Sequence, residues 1–110
     1  MTRPFIILIL LTIVTLSSSN AAIYKGQKEF VKKCRQCHKD GEALVSEHTM
    51  TEWKALLKDD GKPLADIHLK NQKAKGSWVY FKGKRYGSKA RHLKQFLVEY
   101  AKDSGNVPCF

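Results

Sequence analysis

Apolar positions along the chain form one N-terminal block and then short stripes at helical spacing. Phe5 to Leu16 is almost wholly apolar, with Arg3 before it and the small, polar stretch Ser17 to Ala22 after it. Beyond that block, Tyr24 to Lys33 holds good helix formers and no proline, and its apolar positions, Phe30 and Val31 among them, suit a short amphipathic helix. Lys39 to Val45 is polar, contains Gly41 and reads as a loop. Thr49 or Thr51 is placed to cap a second helix through Leu57, with Met50, Trp53, Leu56 and Leu57 at helical spacing. Asp59-Asp60-Gly61 stops that helix, and Pro63 opens a third at its first turn, followed by Leu64, Ile67 and His68.

The C-terminal half is less even. Lys70 to Gly76 is polar. Ser77 to Tyr86 is ambiguous: Trp78-Val79-Tyr80-Phe81 favours a strand by propensity, but a lone strand has no partner. From about Ser88 to Asp103, Leu93, Phe96, Leu97 and Tyr100 recur at i, i+3, i+4 and i+7, which predicts an amphipathic helix. Ser104-Gly105-Asn106, with Pro108 beyond, matches a glycine C-cap. The expected fold class is all-α, three to five helices joined by loops, with little or no sheet.

The N-terminal block changes the domain count. A basic start, a short apolar run and a small-residue junction are the layout of a secretory signal peptide. Ser19-Asn20-Ala21 puts small residues three and one positions before a cut after Ala21, so residues 1–21 are read as a signal and 22–110 as one domain. The apolar run, about a dozen residues, is short for a bilayer span. An uncleaved N-terminal anchor is the alternative, and membrane association is expected only in that case. Export places the protein in the periplasm. A domain of roughly 90 residues buries a modest core and gains from a staple, a metal or a cofactor.

Charge narrows the partners. The chain of 110 residues carries a formal net charge of +10, with lysine far commoner than arginine. A basic surface suits nucleic acid, an anionic membrane or an acidic protein. Export argues against nucleic acid, leaving scattered solubilising lysines or the steering of an acidic partner protein.

The chemistry lies in Cys34-Arg35-Gln36-Cys37-His38. C-x-x-C-H is the pattern of covalent haem attachment. Two cysteines three apart can form thioethers to the two vinyl groups of one porphyrin, and the histidine that follows is placed against the ring face, where its imidazole binds iron. Other readings of C-x-x-C lack their context. A zinc site calls for four ligands, usually in two paired clusters, and no second C-x-x-C or paired histidine motif is present. A thioredoxin-like pair calls for a βαβ setting. A disulfide between Cys34 and Cys37 closes a tight loop. Cys109 is left over near the C-terminus, suited to an inter-chain disulfide or a free thiol. No Ser/His/Asp arrangement, acid dyad or glycine-rich phosphate loop stands out, so an enzyme is not expected.

Gly26 and Phe30 extend the motif to Gly-x-x-x-Phe-x-x-x-Cys-x-x-Cys-His. This resembles the N-terminal helix of the class I c-type cytochromes, the bacterial and mitochondrial monohaem family. The resemblance covers Tyr24 to His38 and the C-terminal helix; Lys39 to Lys89 does not follow the family. It implies a cytochrome c-like fold around one covalent haem c, held by Cys34 and Cys37 with His38 as proximal iron ligand. It also implies that the first helix crosses the last, with Gly26 and Phe30 meeting Phe96, Leu97 and Tyr100. The implied function is one-electron transfer through the haem iron with redox partner proteins, acidic at the docking surface.

One departure from the family concerns the distal side of the iron. Class I cytochromes usually supply a methionine from a loop before the last helix, and here Lys75 to Ser88 holds neither Met nor His. His68 is the first candidate, because its separation from His38 lets the chain cross the haem edge and return, beside Leu64 and Ile67. Met50 is the second, and as a thioether it would raise the reduction potential relative to bis-histidine ligation. His48 adjoins Met50, His92 lies opposite the apolar stripe of its helix, and Cys109 could reach the iron only if the tail folds back. A vacant position would instead make the protein a haem-based gas binder or sensor, or a small haem subunit of a redox enzyme. The aromatic run Trp78, Tyr80, Phe81 and Tyr86 is expected to wall the haem or the core.

Overall fold

The computed structural model describes residues 17–110. The expected signal peptide falls mostly on residues 1–16, outside that range; Ser17 to Ala21 form the start of the first helix. Six α-helices make up the described chain: α1 Ser17–Glu29, α2 Gly41–Val45, α3 Met50–Leu56, α4 Lys58–Leu69, α5 Trp78–Lys82 and α6 Tyr86–Glu99. A π-helical turn, Phe30–Cys34, continues α1, and a 3₁₀ turn, Gln72–Ser77, leads into α5. No strand occurs among the described residues, and no described helix is long and apolar enough to cross a membrane.

The frame is the crossing of α1 over α6. Gly26 lies against the His92 carbonyl, and a Cβ added there would stand 2.7 Å from the Cβ of Phe96. The absent side chain is what lets the two backbones meet. One turn on, the Phe30 and Phe96 rings pack with centroids 5.3 Å apart, and both are fully buried. Leu93 and Leu97 complete the buried stripe of α6, so the periodicity of the last helix holds, and of the residues expected at the crossing Gly26 and Phe30 meet Phe96. Gly26→Val would overpack this crossing, which costs about 1–3 kcal/mol. The expected fall in melting temperature is on the order of 5–20 °C for a domain of this size, read by circular dichroism.

Local chemistry sets the ends of the middle helices. Thr49 caps α3 through a full capping box: its side chain accepts from the Glu52 N–H, and the Glu52 carboxylate accepts from the Thr49 N–H. Asp59, Asp60 and Gly61 carry left-handed φ values of 49°, 55° and 79°, which break α3 from the regular turns of α4. Gly61 is needed there, since an added Cβ would stand 2.6 Å from the Cβ of Ala90. The Tyr86 hydroxyl donates to the Gly61 carbonyl at 2.7 Å and ties the break to α6.

Two expectations change and one ambiguity is resolved. Lys39 to Val45 is not all loop: Asp40 accepts from the Ala43 N–H at 3.0 Å and caps the short helix α2. Trp78 to Lys82 is helix, not strand. With no partner strand, its side chains pack as a cluster instead, the Tyr80, Phe81 and Tyr86 rings lying 5.0–5.5 Å apart edge to face. The last helix ends at Glu99, short of Asp103. The turn after it serves α3 instead: the Lys102 N–H donates to the His48 carbonyl at 2.9 Å, and the Asp103 carboxylate accepts from the Met50 N–H at 2.8 Å. Gly105, at φ 78°, belongs to that later turn and not to a helix cap. The tail then runs back over α1. Gln27 donates to the Cys109 carbonyl at 2.7 Å, and Phe110 stacks on Phe30.

Candidate functional site

The π-helical turn delivers the cysteine motif. Its wider winding ends at Cys34, and the Cys37 and His38 N–H groups both turn back to the Cys34 carbonyl, at 3.3 and 2.9 Å. Cys37 and His38 thereby each lie one helical turn on from Cys34, on the same face as it. Single π turns inside α-helices occur often at functional sites; nothing in the sequence signalled this one. The three cysteines form no disulfide.

That face is one wall of a cleft of about 800 Å³, within the roughly 300–1,000 Å³ of small-molecule and cofactor pockets. Leu44, Trp53, Leu56 and Leu97 give it an apolar lining. Leu64, Ile67 and His68 from α4 face the cysteines, Val79, Tyr80 and Phe81 from α5 close one side, and Lys33 and Lys73 also line it. Trp53 is itself anchored, its indole N–H donating to the Val45 carbonyl at 2.9 Å.

The distal candidates separate clearly. His68 lines the cleft, and its ring centroid lies 6.2 Å from that of His38, the planes crossing at 77°. His48 also lines the cleft, but its ring lies edge-on to Trp53 and its Nδ1 is 3.2 Å from the Glu52 carboxylate. Met50, which as neighbour of His48 was expected to share its geometry, does not line the cleft; it is half-buried against the core. His92 is half-buried rather than fully solvated and lies beside α1, outside the cleft. Cys109 is exposed on the tail and is likewise outside it.

Burial sets the chemistry of the two walls. The Cys34 thiol is pushed from its ordinary 9.0 up to about 12, first by burial, then by the nearby Glu29 carboxylate and Cys37. Burial, and then the neighbouring His68, hold the His38 imidazole below its usual value, which favours the neutral, ligating form. Among the described residues, Glu29 is the one charged side chain in the buried set, at 8 % exposure. The Tyr80 hydroxyl donates to it at 2.8 Å and Lys89 approaches it at 3.8 Å. Burial, followed by that hydrogen bond, keeps the Tyr80 phenol protonated far above its usual range.

In the polypeptide prepared without cofactor, Cys34, held protonated by burial, carries a much smaller thiolate fraction at pH 8 than an ordinary thiol. Its alkylation is expected to be at least about tenfold slower than that of the exposed Cys37, as read by peptide mass spectrometry against time. The folded value lies above the unfolded one, so the neutral thiol favours folding fully below pH 9.0, and that contribution is lost as pH rises through about 12.

The aromatic run divides its tasks. Tyr80 and Phe81 line the cleft, Tyr86 belongs to the core, and Trp78 donates its indole N–H to the His68 carbonyl at 2.7 Å. The Trp78 contact to His68 is not legible in the sequence, because it depends on the packing of α5 against α4, whereas the Leu64 contact lies within α4. Among the described residues, no cluster of three or more His, Cys, Asp or Glu side chains is gathered to hold a bare metal ion. No protein-family model, curated protein or solved structure matches this chain.

Proposed function

We propose that this chain is an exported monohaem c-type cytochrome acting as a one-electron carrier, its haem held by Cys34 and Cys37 with His38 as proximal ligand. The observation that carries the reading is the placing of all three residues on one wall of an apolar cleft of about 800 Å³, with a second imidazole on the facing wall. The haem would supply a reversible ferrous–ferric couple. The chain supplies everything else.

Cys34 and Cys37 tether the group, so a small domain can leave its cleft partly open without losing it. His38, held toward its neutral form, offers a ring nitrogen to the iron. Leu44, Trp53, Leu56, Leu64 and Phe81 exclude water from the ring faces, and a low-dielectric surround of this kind tunes the potential. Lys33 and Lys73 at the cleft, within a chain of net charge +10, favour encounter with an acidic redox partner. Such steering weakens with ionic strength. Periplasmic location rests on the expected signal peptide.

The test is a spectroelectrochemical titration of protein exported from a host with haem-maturation machinery. The expected result is a single reversible one-electron transition of a c-type absorption spectrum. A colourless product, or a pigment that does not cycle, overturns the reading.

A further inference from the structure

We propose that His68, through Nε2, is the sixth ligand of the haem iron, so that the protein is a closed bis-histidine cytochrome rather than a gas binder. This deepens the electron-carrier reading and rests on it.

The first support is distance. An imidazole nitrogen bonds a transition metal at about 2.0–2.1 Å, and the ring centre lies about 1.1 Å behind that nitrogen. Two rings facing each other across one metal ion therefore have centres about 6.3 Å apart. The His38 and His68 centroids are 6.2 Å apart. The second wall thus already holds an imidazole at the ligating separation, without rearrangement of α4.

The second support is the tautomer. His68 Nδ1 lies 2.8 Å from the Leu64 carbonyl. A carbonyl oxygen only accepts, so Nδ1 carries the proton and Nε2 keeps its lone pair. A backbone carbonyl on the far nitrogen is the usual partner of a metal-bound histidine, since it fixes the ring and raises its basicity.

The third support is that the ring is held. Phe81 stacks on His68 with centroids 4.3 Å apart and planes 30° from parallel, and Trp78 donates to the His68 carbonyl at 2.7 Å. A ring stacked on one face and hydrogen-bonded at Nδ1 loses little freedom on binding a metal. His48 also turns its Nδ1 to an acceptor, the Glu52 carboxylate, and packs its ring on Trp53, but it is the His68 ring that lies against that of His38. Met50 is outside the cleft.

The experiment uses the full matured protein, with its intact mass measured on the same sample. The wild type is expected to be low-spin in both oxidation states, with the near-infrared charge-transfer band of bis-imidazole ferric haem. Its reduced Soret band is expected not to shift when carbon monoxide is added. His68→Ala is expected to take up carbon monoxide at once and to turn high-spin when oxidised, with added imidazole restoring the low-spin spectrum. His68→Met is expected to stay six-coordinate, exchange the bis-imidazole band for a methionine one and raise the potential.

The wild-type spectra stand even if either variant fails to fold. Haem present but high-spin, prompt carbon monoxide binding by the wild type, or a site opened by His48→Ala instead of His68→Ala would each overturn the assignment of His68 while leaving the cytochrome reading intact. An intact mass without haem would overturn both.

Discussion

Replacing Cys34 and Cys37 together with alanine is expected to abolish covalent haem attachment, so that acid–acetone extraction removes all pigment from the variant and none from the wild type. The two thiols have separate environments: Cys34 is half-buried and held protonated, and Cys37 is exposed. Both nevertheless line the same cleft as His38 because the π-helical turn ends at Cys34 and the next turn closes on its carbonyl. With the tethers gone, His38 and His68 remain 6.2 Å apart and are free to coordinate haem reversibly. Each single variant is expected to keep one thioether and therefore resist extraction. Residual extraction-resistant pigment in the double variant would contradict attachment through these residues.

Phe96→Ala is expected to cost about 3–5 kcal/mol, a large share of the roughly 5–15 kcal/mol that stabilises a small domain. Phe96 is 0 % exposed and packs on Phe30, Tyr100 and Phe110 at the point where α1 crosses α6. No neighbour can collapse into the gap, because Gly26 already brings the two backbones into contact. The expected drop in melting temperature is on the order of 15–30 °C, enough to leave the variant partly unfolded at ordinary growth temperature. Phe110→Ala is the control. Its ring is 46 % exposed and packs on Phe30 and Phe96 from outside, so its loss is expected to cost about 1 kcal/mol. Equal losses for the two variants would contradict the placing of the core at the α1–α6 crossing.

These two experiments probe the parts most readily read from the chain. The cysteine motif is legible because its spacing matters at the scale of one helical turn, whatever the rest of the chain does. Gly26, Phe30 and the Leu93–Tyr100 stripe are legible because a close helix crossing needs a missing side chain beside a large one. Thr49 with Glu52, and Asp59-Asp60-Gly61, act through neighbouring backbone and carry their meaning locally.

What could not be read is decided at long range. Trp78 to Lys82 has the composition of a strand, and only the Tyr80–Phe81–Tyr86 cluster, with Tyr80 bonded to Glu29 from α1, makes a helix the better packing. The end of α6 was placed too late because Lys102 and Asp103 leave the helix to satisfy backbone groups of His48 and Met50, more than fifty residues earlier. His68 and Met50 stood as rivals because separation along the chain does not say which returns to the cleft. The fold separates them by turning α4 toward His38 and leaving Met50 on the core side of α3.

The shape of the cleft bears on how such a small domain could hold a redox group. On the proposed reading, a group tethered on one wall and met by the His68 imidazole on the other would need neither wall to move on gaining or losing an electron. Tyr80 and Phe81 are half-buried in the α5 wall, while Val79 beside them is exposed at the cleft. An apolar cleft edge with lysines near it fits a small, transient contact with a partner.

The most direct measurement is the intact mass of the protein exported from a host that matures covalent haem. The expected mass is that of residues 22–110 plus one haem, with Cys34 and Cys37 no longer open to alkylation. A bare polypeptide mass, with both thiols still reactive after unfolding, would contradict a covalently bound haem at this site.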